Sequence, residues 1–226
     1  MKSKMITMNN KLKSAGLLLV VMLGLSACTK DEVKPDLEDG KSKVIMDLPG
    51  DVGKTVGAGV DFDPLYFSFK TGAKVAASEK LTAGWDLVFA KEYNSFVSIN
   101  NGKDDKSLGF GGPGKGAMVV VNKAYNEVNA APADAEFTNN GITGTGWETG
   151  NGNGWFFYEL KTHIAIPVKN KTFVLRTAEG KYAKLEIISM YKGAPATVSD
   201  MKWPAPYFKF RYYVQEDGSR NLSTKD

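Results

Sequence analysis

From Lys43 onward the apolar residues come in short bursts broken by Gly, Asn, Asp and Pro, and no window of a dozen residues carries an i, i+3, i+4, i+7 stripe. Long helices are excluded by that pattern. The bursts alternate apolar with polar positions, as strands half-buried on one face do. They fall at residues 66–69, 85–89, 96–99, 118–121, 155–158, 163–168, 173–175, 182–188 and 207–214. Between the seventh and eighth, Thr177-Ala178-Glu179-Gly180 forms a hairpin turn, with Gly where a positive φ costs little. Strand parity then puts Ala183, Leu185 and Ile187 on the inner face and Lys184 and Glu186 outside. The expected fold is all-β, a single antiparallel domain of short strands over residues 43–226, with little helix beyond one short turn within 122–134. No internal repeat is visible.

The first 27 residues follow another logic. Lys2, Lys4, Lys11 and Lys13 precede an apolar run of 11 residues, 15–25, and no acid occurs among them. This is a secretory signal, too short for the roughly 20 residues of a spanning helix. Leu25-Ser26-Ala27-Cys28 matches a bacterial lipobox, in which the Cys28 thiol is acylated and the bond before it cut; more than one acyl chain anchors stably. Residues 28–42 form a charged, lipidated tether with almost nothing apolar in it. Within the tether, Lys30-Asp31-Glu32 is similar to a short export signal that sends lipoproteins to the outer face of the outer membrane. The expected location is therefore the outer membrane, lipid-anchored, with the domain facing the exterior.

The formal charge of the whole chain is +4. Removing the signal leaves 25 basic and 25 acidic groups, so bulk charge gives no support for nucleic-acid binding. The membrane is expected to be met through the N-terminal lipid only. With Cys28, the one cysteine, given to lipid, no disulfide or Cys-ligated metal is expected.

Two glycine-rich runs imitate functional loops. Residues 109–116 contain both G-x-G-x-x-G and G-x-x-x-x-G-K, but Gly116 stands where a Walker loop needs Ser or Thr. The Ala117–Val121 stretch that follows is patterned as a strand, where a phosphate site needs a helix N-terminus. The second run, 141–154, carries Trp147 and ends before Trp155; long loops of this kind are often functional or mobile. Enzyme chemistry is poorly supplied. His163 is the one histidine, no nucleophile elbow lies near it, and no pair of carboxylates is set apart for acid–base work. The chain is not expected to be an enzyme.

Several blocks together resemble the HmuY-like haem-binding lipoproteins of diderm bacteria. They are Gly84-Trp85-Asp86-Leu87-Val88-Phe89; Gly114-Lys115-Gly116-Ala117 with Asn126-Glu127-Val128 and 130–134 after it; Asn153-Gly154-Trp155; Thr162-His163-Ile164; the stretch 176–187; and 207–212 running into 217–222. They keep the family's order from about residue 65 to the end. The resemblance implies an all-β fold, an N-terminal lipid, and capture of haem or a related porphyrin, with host haemoproteins as sources and a TonB-dependent outer-membrane receptor as recipient. It also implies two axial side chains on the iron, a His pair in some members and methionines in others. Here a His pair is impossible, and the loop 141–154, where the first ligand of the His-ligated members falls, has neither His nor Met.

The candidate axial ligands are therefore His163, Met190 and Met201. His163 reads either as a histidine packed at a strand start with one ring nitrogen hydrogen-bonded, or as a ligand; imidazole with a thioether is a sound pair for haem iron. Met118 and Met46 read as core. Met190 shares parity with Lys184 and Glu186 and is expected to face outward, and Met201 lies in a polar loop. The alternative function is a surface lipoprotein that binds glycan or a partner protein without haem, using Trp147, Trp155, Trp203 and the tyrosines as platforms.

Overall fold

The computed structural model describes residues 37–57 and 59–225. The signal segment 1–27, Cys28, the export-like Lys30-Asp31-Glu32 and the tether up to residue 36 lie outside the described residues.

Twelve strands pair antiparallel throughout. One five-stranded sheet has the order β1 (Lys43–Pro49), β12 (Tyr207–Val214), β11 (Tyr182–Ser189), β10 (Thr172–Arg176) and β6 (Ala117–Val121). The second has the order β3 (Ala73–Val75), β2 (Leu65–Ser68), β4 (Leu87–Ala90), β5 (Phe96–Ile99) and β7 (Gly144–Thr145). A separate hairpin joins β8 (Phe156–Glu159) to β9 (Ile164–Pro167). The one α-helix among the described residues, α1 (Asp134–Asn139), follows a 3₁₀ turn at Tyr125–Glu127. The fold is thus all-β with little helix.

Alternation builds the core. Leu65, Phe67, Leu87, Phe89, Val97 and Ile99 of one sheet meet Phe173, Leu175, Ala183, Leu185, Ile187, Phe208 and Phe210 of the other in one buried cluster. Aromatic rings carry the contact, with Phe67 5.1 Å from Phe210 and Phe89 4.5 Å from Phe208. Ala183, Leu185 and Ile187 point inward, as parity requires.

Lys184 corrects the expectation of an outer, solvated side. It does leave the inner face, yet it is fully buried, because a further layer covers the first sheet. That layer comprises the turn at Tyr125, Val128, Ala131, Phe137 of α1 and Leu222. The Lys184 ammonium donates to the carbonyls of Tyr125 and Val128, both at 3.1 Å, and to Thr224 Oγ1 at 3.3 Å. Burial draws its pKa down to about 8. Glu186 is also partly covered, and its carboxylate accepts from Arg211 Nε at 2.7 Å.

The block Gly84–Phe89 has a structural explanation. Trp85 is fully buried and donates from Nε1 to the Lys80 carbonyl at 3.1 Å. Next to it, Asp86 staples the two sheets together: its carboxylate accepts the Phe69 amide at 2.7 Å and the Ala178 amide at 2.9 Å. Burial raises the Asp86 pKa despite those bonds.

The phosphate-loop look-alike is a structural device too. Residues 109–116 wrap buried Asn100, whose Nδ2 donates to the carbonyls of Thr82 (2.8 Å) and Trp85 (2.9 Å). A β-carbon on Gly114 would stand 2.2 Å from Asn100 Oδ1, so only glycine fits there. A strand follows, β6, and no helix N-terminus faces the loop.

Candidate functional site

The hairpin β8–β9 belongs to neither large sheet, and an isolated two-stranded ribbon is marginal in water. It is stable here because it buries Phe156 and Ala165 from one face and Ile164 from the other. Phe156, Ile164 and Ala165 join the main core, and the Ala165 amide donates to the Tyr191 hydroxyl at 2.8 Å. At its base Trp155 is buried and donates from Nε1 to the Ser95 carbonyl at 2.7 Å. On the other face Ile164 is buried, but Phe157 and Ile166 sit directly opposite each other in the register, each about half exposed, and Leu160 projects at the tip. Two neighbouring half-exposed apolar side chains on one strand pair are an unusual expense unless something covers them.

Glu148 aims the segment that precedes the hairpin. Its Oε1 accepts the amides of Gly150 (2.7 Å) and Gly152 (2.9 Å), and its Oε2 accepts that of Gly154 (2.8 Å) and Lys171 Nζ (3.2 Å). Lys171 Nζ also donates to the Gly152 carbonyl at 2.6 Å. Both charged side chains of this pair are 5% exposed. Burial alone would raise the Glu148 pKa, but the three backbone amides and Lys171 outweigh it and hold it at about 2. The run 148–154 is therefore a loop closed on an ionised carboxylate. Trp147 stands beside that clamp and pairs with Phe156 in a parallel bridge, its ring half exposed.

Trp147, Tyr158 and His163 form a chain of rings. Trp147 meets Tyr158 edge-on with centroids 5.5 Å apart, and Tyr158 lies 5.9 Å from His163. The Tyr158 hydroxyl and His163 Nδ1 share a hydrogen bond of 2.8 Å. When His163 donates from Nδ1, Nε2 carries a free lone pair, which is the tautomer a metal ligand needs.

The structure moves the candidate ligands from where the sequence put them. His163 is not packed at a strand start. It is the exposed last residue of the hairpin loop, in the left-handed region at φ 59°, a conformation in which His is enriched among non-glycine residues. The other half of that expectation holds, since one ring nitrogen is hydrogen-bonded. Met190 does not face outward: it is 5% exposed and packs in the main core. The register shift between Ile187 and Ser189 breaks the parity on which that expectation stood. Met201 is 67% exposed, in the loop before Trp203. Met118 is core as expected, but Met46 is exposed, because β1 carries a register shift between Ile45 and Leu48 with Asp47 left-handed. Glu148 and Lys171, which shape this candidate site, are not singled out by the sequence, and Tyr158 is covered only as one of the tyrosines. One signal was there to read, an acid leading three alternate glycines in Glu148-Thr149-Gly150-Asn151-Gly152-Asn153-Gly154.

The two-sheet scaffold thus holds out a hairpin rich in aromatic side chains. A family model described as HmuY protein matches residues 63–204, and the chain belongs to the HmuY family. Two solved structures are similar. The apo HmuY analog of Tannerella forsythia shares 11% identity over 77% of this chain and 95% of that one, with a TM-score of 0.43. Apo PinO from Porphyromonas gingivitis shares 12% over 78% of this chain and 97% of that one, with a TM-score of 0.44. No curated protein matches the chain.

Proposed function

We propose that this protein captures haem at the cell surface and hands it to an outer-membrane receptor, held meanwhile by a lipid on Cys28. Family membership supports the ligand class. The observation that carries the reading is the hairpin end itself. It offers half-exposed apolar side chains for a flat macrocycle, together with an exposed imidazole whose Nδ1 is fixed by Tyr158. His163 would ligate the iron from Nε2, and Met201, the exposed thioether, is the second ligand we assign. Haem iron would bring the affinity for these two donors, and Tyr158 would orient the imidazole. Met190, packed in the core, is left out of the pair.

The test is a hemin titration of the full chain followed by its absorption spectrum, oxidised and reduced. A sharpened, shifted Soret band is expected. It should be lost in His163→Ala and altered in Met201→Ala, while Met190→Leu leaves it in place. A spectrum equal to that of free hemin overturns the reading and favours the second one, a glycan or protein partner seated on Trp147 and Phe157.

A further inference from the structure

The opposite end of the sandwich carries a second exposed apolar group. The hairpin bonds Tyr191, just beyond the last residue of β11, whereas Lys115 bonds the Ala178 carbonyl at 3.0 Å, just before its first. Strand β11 has eight residues. The two ends are therefore separated by about 26 Å at roughly 3.3 Å per residue. At the Ala178 end Leu81, Leu108 and Phe110 are 52%, 41% and 54% exposed. They are held there rigidly. Gly111 donates to the Gly102 carbonyl (3.0 Å), Phe110 to that of Ser107 (3.0 Å) and Gly112 to that of Gly109 (2.9 Å). A β-carbon on Gly112 would lie 3.1 Å from the Leu81 backbone, so the two loops abut. A fixed scaffold that keeps three large apolar side chains in water marks a surface with an occupant.

Charge and chain path say which. Exposed Lys80, Lys103, Lys106 and Lys115 interleave with the apolar three. The acids at this end are Glu79, Asp104, Asp105 and Glu179; Asp104 accepts the Lys106 amide at 3.0 Å, and Glu179 is paired with Lys70 and Lys181, each at 3.7 Å. Upstream, the chain enters β1 at Lys43 opposite Tyr212, which itself lies opposite Leu185, three residues into β11 from the Ala178 end. Ser42 Oγ is bonded to the Tyr125 hydroxyl at 2.8 Å, which fixes the point of departure in that half of the sheet. The residues before it include the apolar run and Cys28.

We propose that Leu81, Leu108 and Phe110 rest in the headgroup boundary of the bilayer, with the four lysines on lipid phosphates. Apolar side chains seated at that depth and basic residues beside them are how peripheral surfaces hold to anionic lipid. The membrane would then be met at a protein face as well as through the lipid, and the hairpin would point away from it. This proposal rests on the anchoring role given to Cys28.

Backbone hydrogen exchange of the full chain on vesicles of phosphatidylethanolamine and phosphatidylglycerol, against the same chain free of vesicles, tests it. Amides of residues 79–84 and 105–112 should slow by about threefold or more on vesicles, those of 159–164 should not, and Leu81→Ser with Phe110→Ser should abolish the difference. Equal exchange at both ends, or slowing at the hairpin alone, overturns the proposal. Flotation of the wild type beside Cys28→Ser reports the anchor separately. If the wild type does not float, the anchoring reading has failed, and the exchange measurement is repeated on chain coupled through the Cys28 thiol to a maleimide lipid. The face is then judged on the same amides.

Discussion

Two glycine-rich loops, 109–116 and 148–154, stand at opposite ends of the sandwich, and each brings a glycine into close approach with a buried polar residue. Each wraps a buried polar side chain closely enough that a β-carbon would collide with it or its backbone. The first closes on Asn100, a neutral amide, and the second on Glu148, an ionised carboxylate paired with Lys171. Glycine in these runs serves close approach at positions such as Gly114 and Gly154 and a positive φ at Gly111, Gly150 and Gly152, so neither resemblance to a phosphate loop nor suspicion of mobility follows from its abundance. What differs is the charge at the hub, and with it the response to mutation and to acid.

Removing the charged hub gives the largest expected effect. Glu148→Ala strands Lys171 in a buried site and frees three amides, and urea unfolding should show a loss of about 3–5 kcal/mol. A loss below about 1 kcal/mol would show that the clamp is solvated and contributes little. Overcrowding comes next. Gly154→Ala would place a β-carbon 2.3 Å from the Glu148 backbone, and Gly114→Ala one 2.6 Å from the Asn100 backbone carbonyl as well as 2.2 Å from its side-chain oxygen. Both should cost about 1–3 kcal/mol, Gly154→Ala the more. If Gly114→Ala proves the costlier, Asn100 is the stiffer hub.

Acid separates the loops without mutation. The folded pKa of Glu148 is depressed to about 2 from 4.5, so its stabilisation is complete above pH 4.5 and is lost as pH falls towards 2. Asp39 is depressed to about 2 as well and titrates over a similar range. The contribution of Glu148 is therefore the difference between wild type and Glu148→Gln, read by thermal unfolding across that range. The gap should narrow as pH falls, while Asn100→Ala should keep a constant offset from wild type. The smallest effect on stability belongs to Trp147→Ala. With half its ring in water it should cost less than about 1 kcal/mol, yet on the haem reading it should weaken hemin binding. Equal hemin binding would confine the ligand to the outer face of Phe157 and Ile166.

Much of the architecture was legible because alternation in water has few other solutions. The nine bursts became β2, β4, β5, β6 and β8–β12, two of them with unchanged bounds. Three strands lie outside the bursts: β1, and β3 and β7, where Ala-Lys-Val and Gly-Thr are too short to alternate. The misplacements have one physical source, which is that parity describes a single sheet with regular pairing. Lys184 obeyed parity and was buried by a layer assembled from distant residues, Tyr125 and Thr224 among them. Met190 and Met46 followed register shifts that leave no mark in composition. Of the site, His163 was named on sequence, but its support from Tyr158 depends on a hairpin loop that brings residues five apart face to face.

Strand β1 is both the first described strand and an edge strand, and its direction has a mechanical meaning. It runs from the level of Tyr212 towards Tyr207, the end from which the hairpin projects. On the reading that Cys28 moors the chain, a tug on the hairpin by a recipient protein is resisted upstream of Lys43. The force then runs along the strand axis. The ladder to β12 is loaded in shear, its perpendicular hydrogen bonds sharing the strain, where an edge strand gripped from its other end would peel open one bond at a time. On that reading, cargo could be pulled from the domain without the domain unravelling from its mooring.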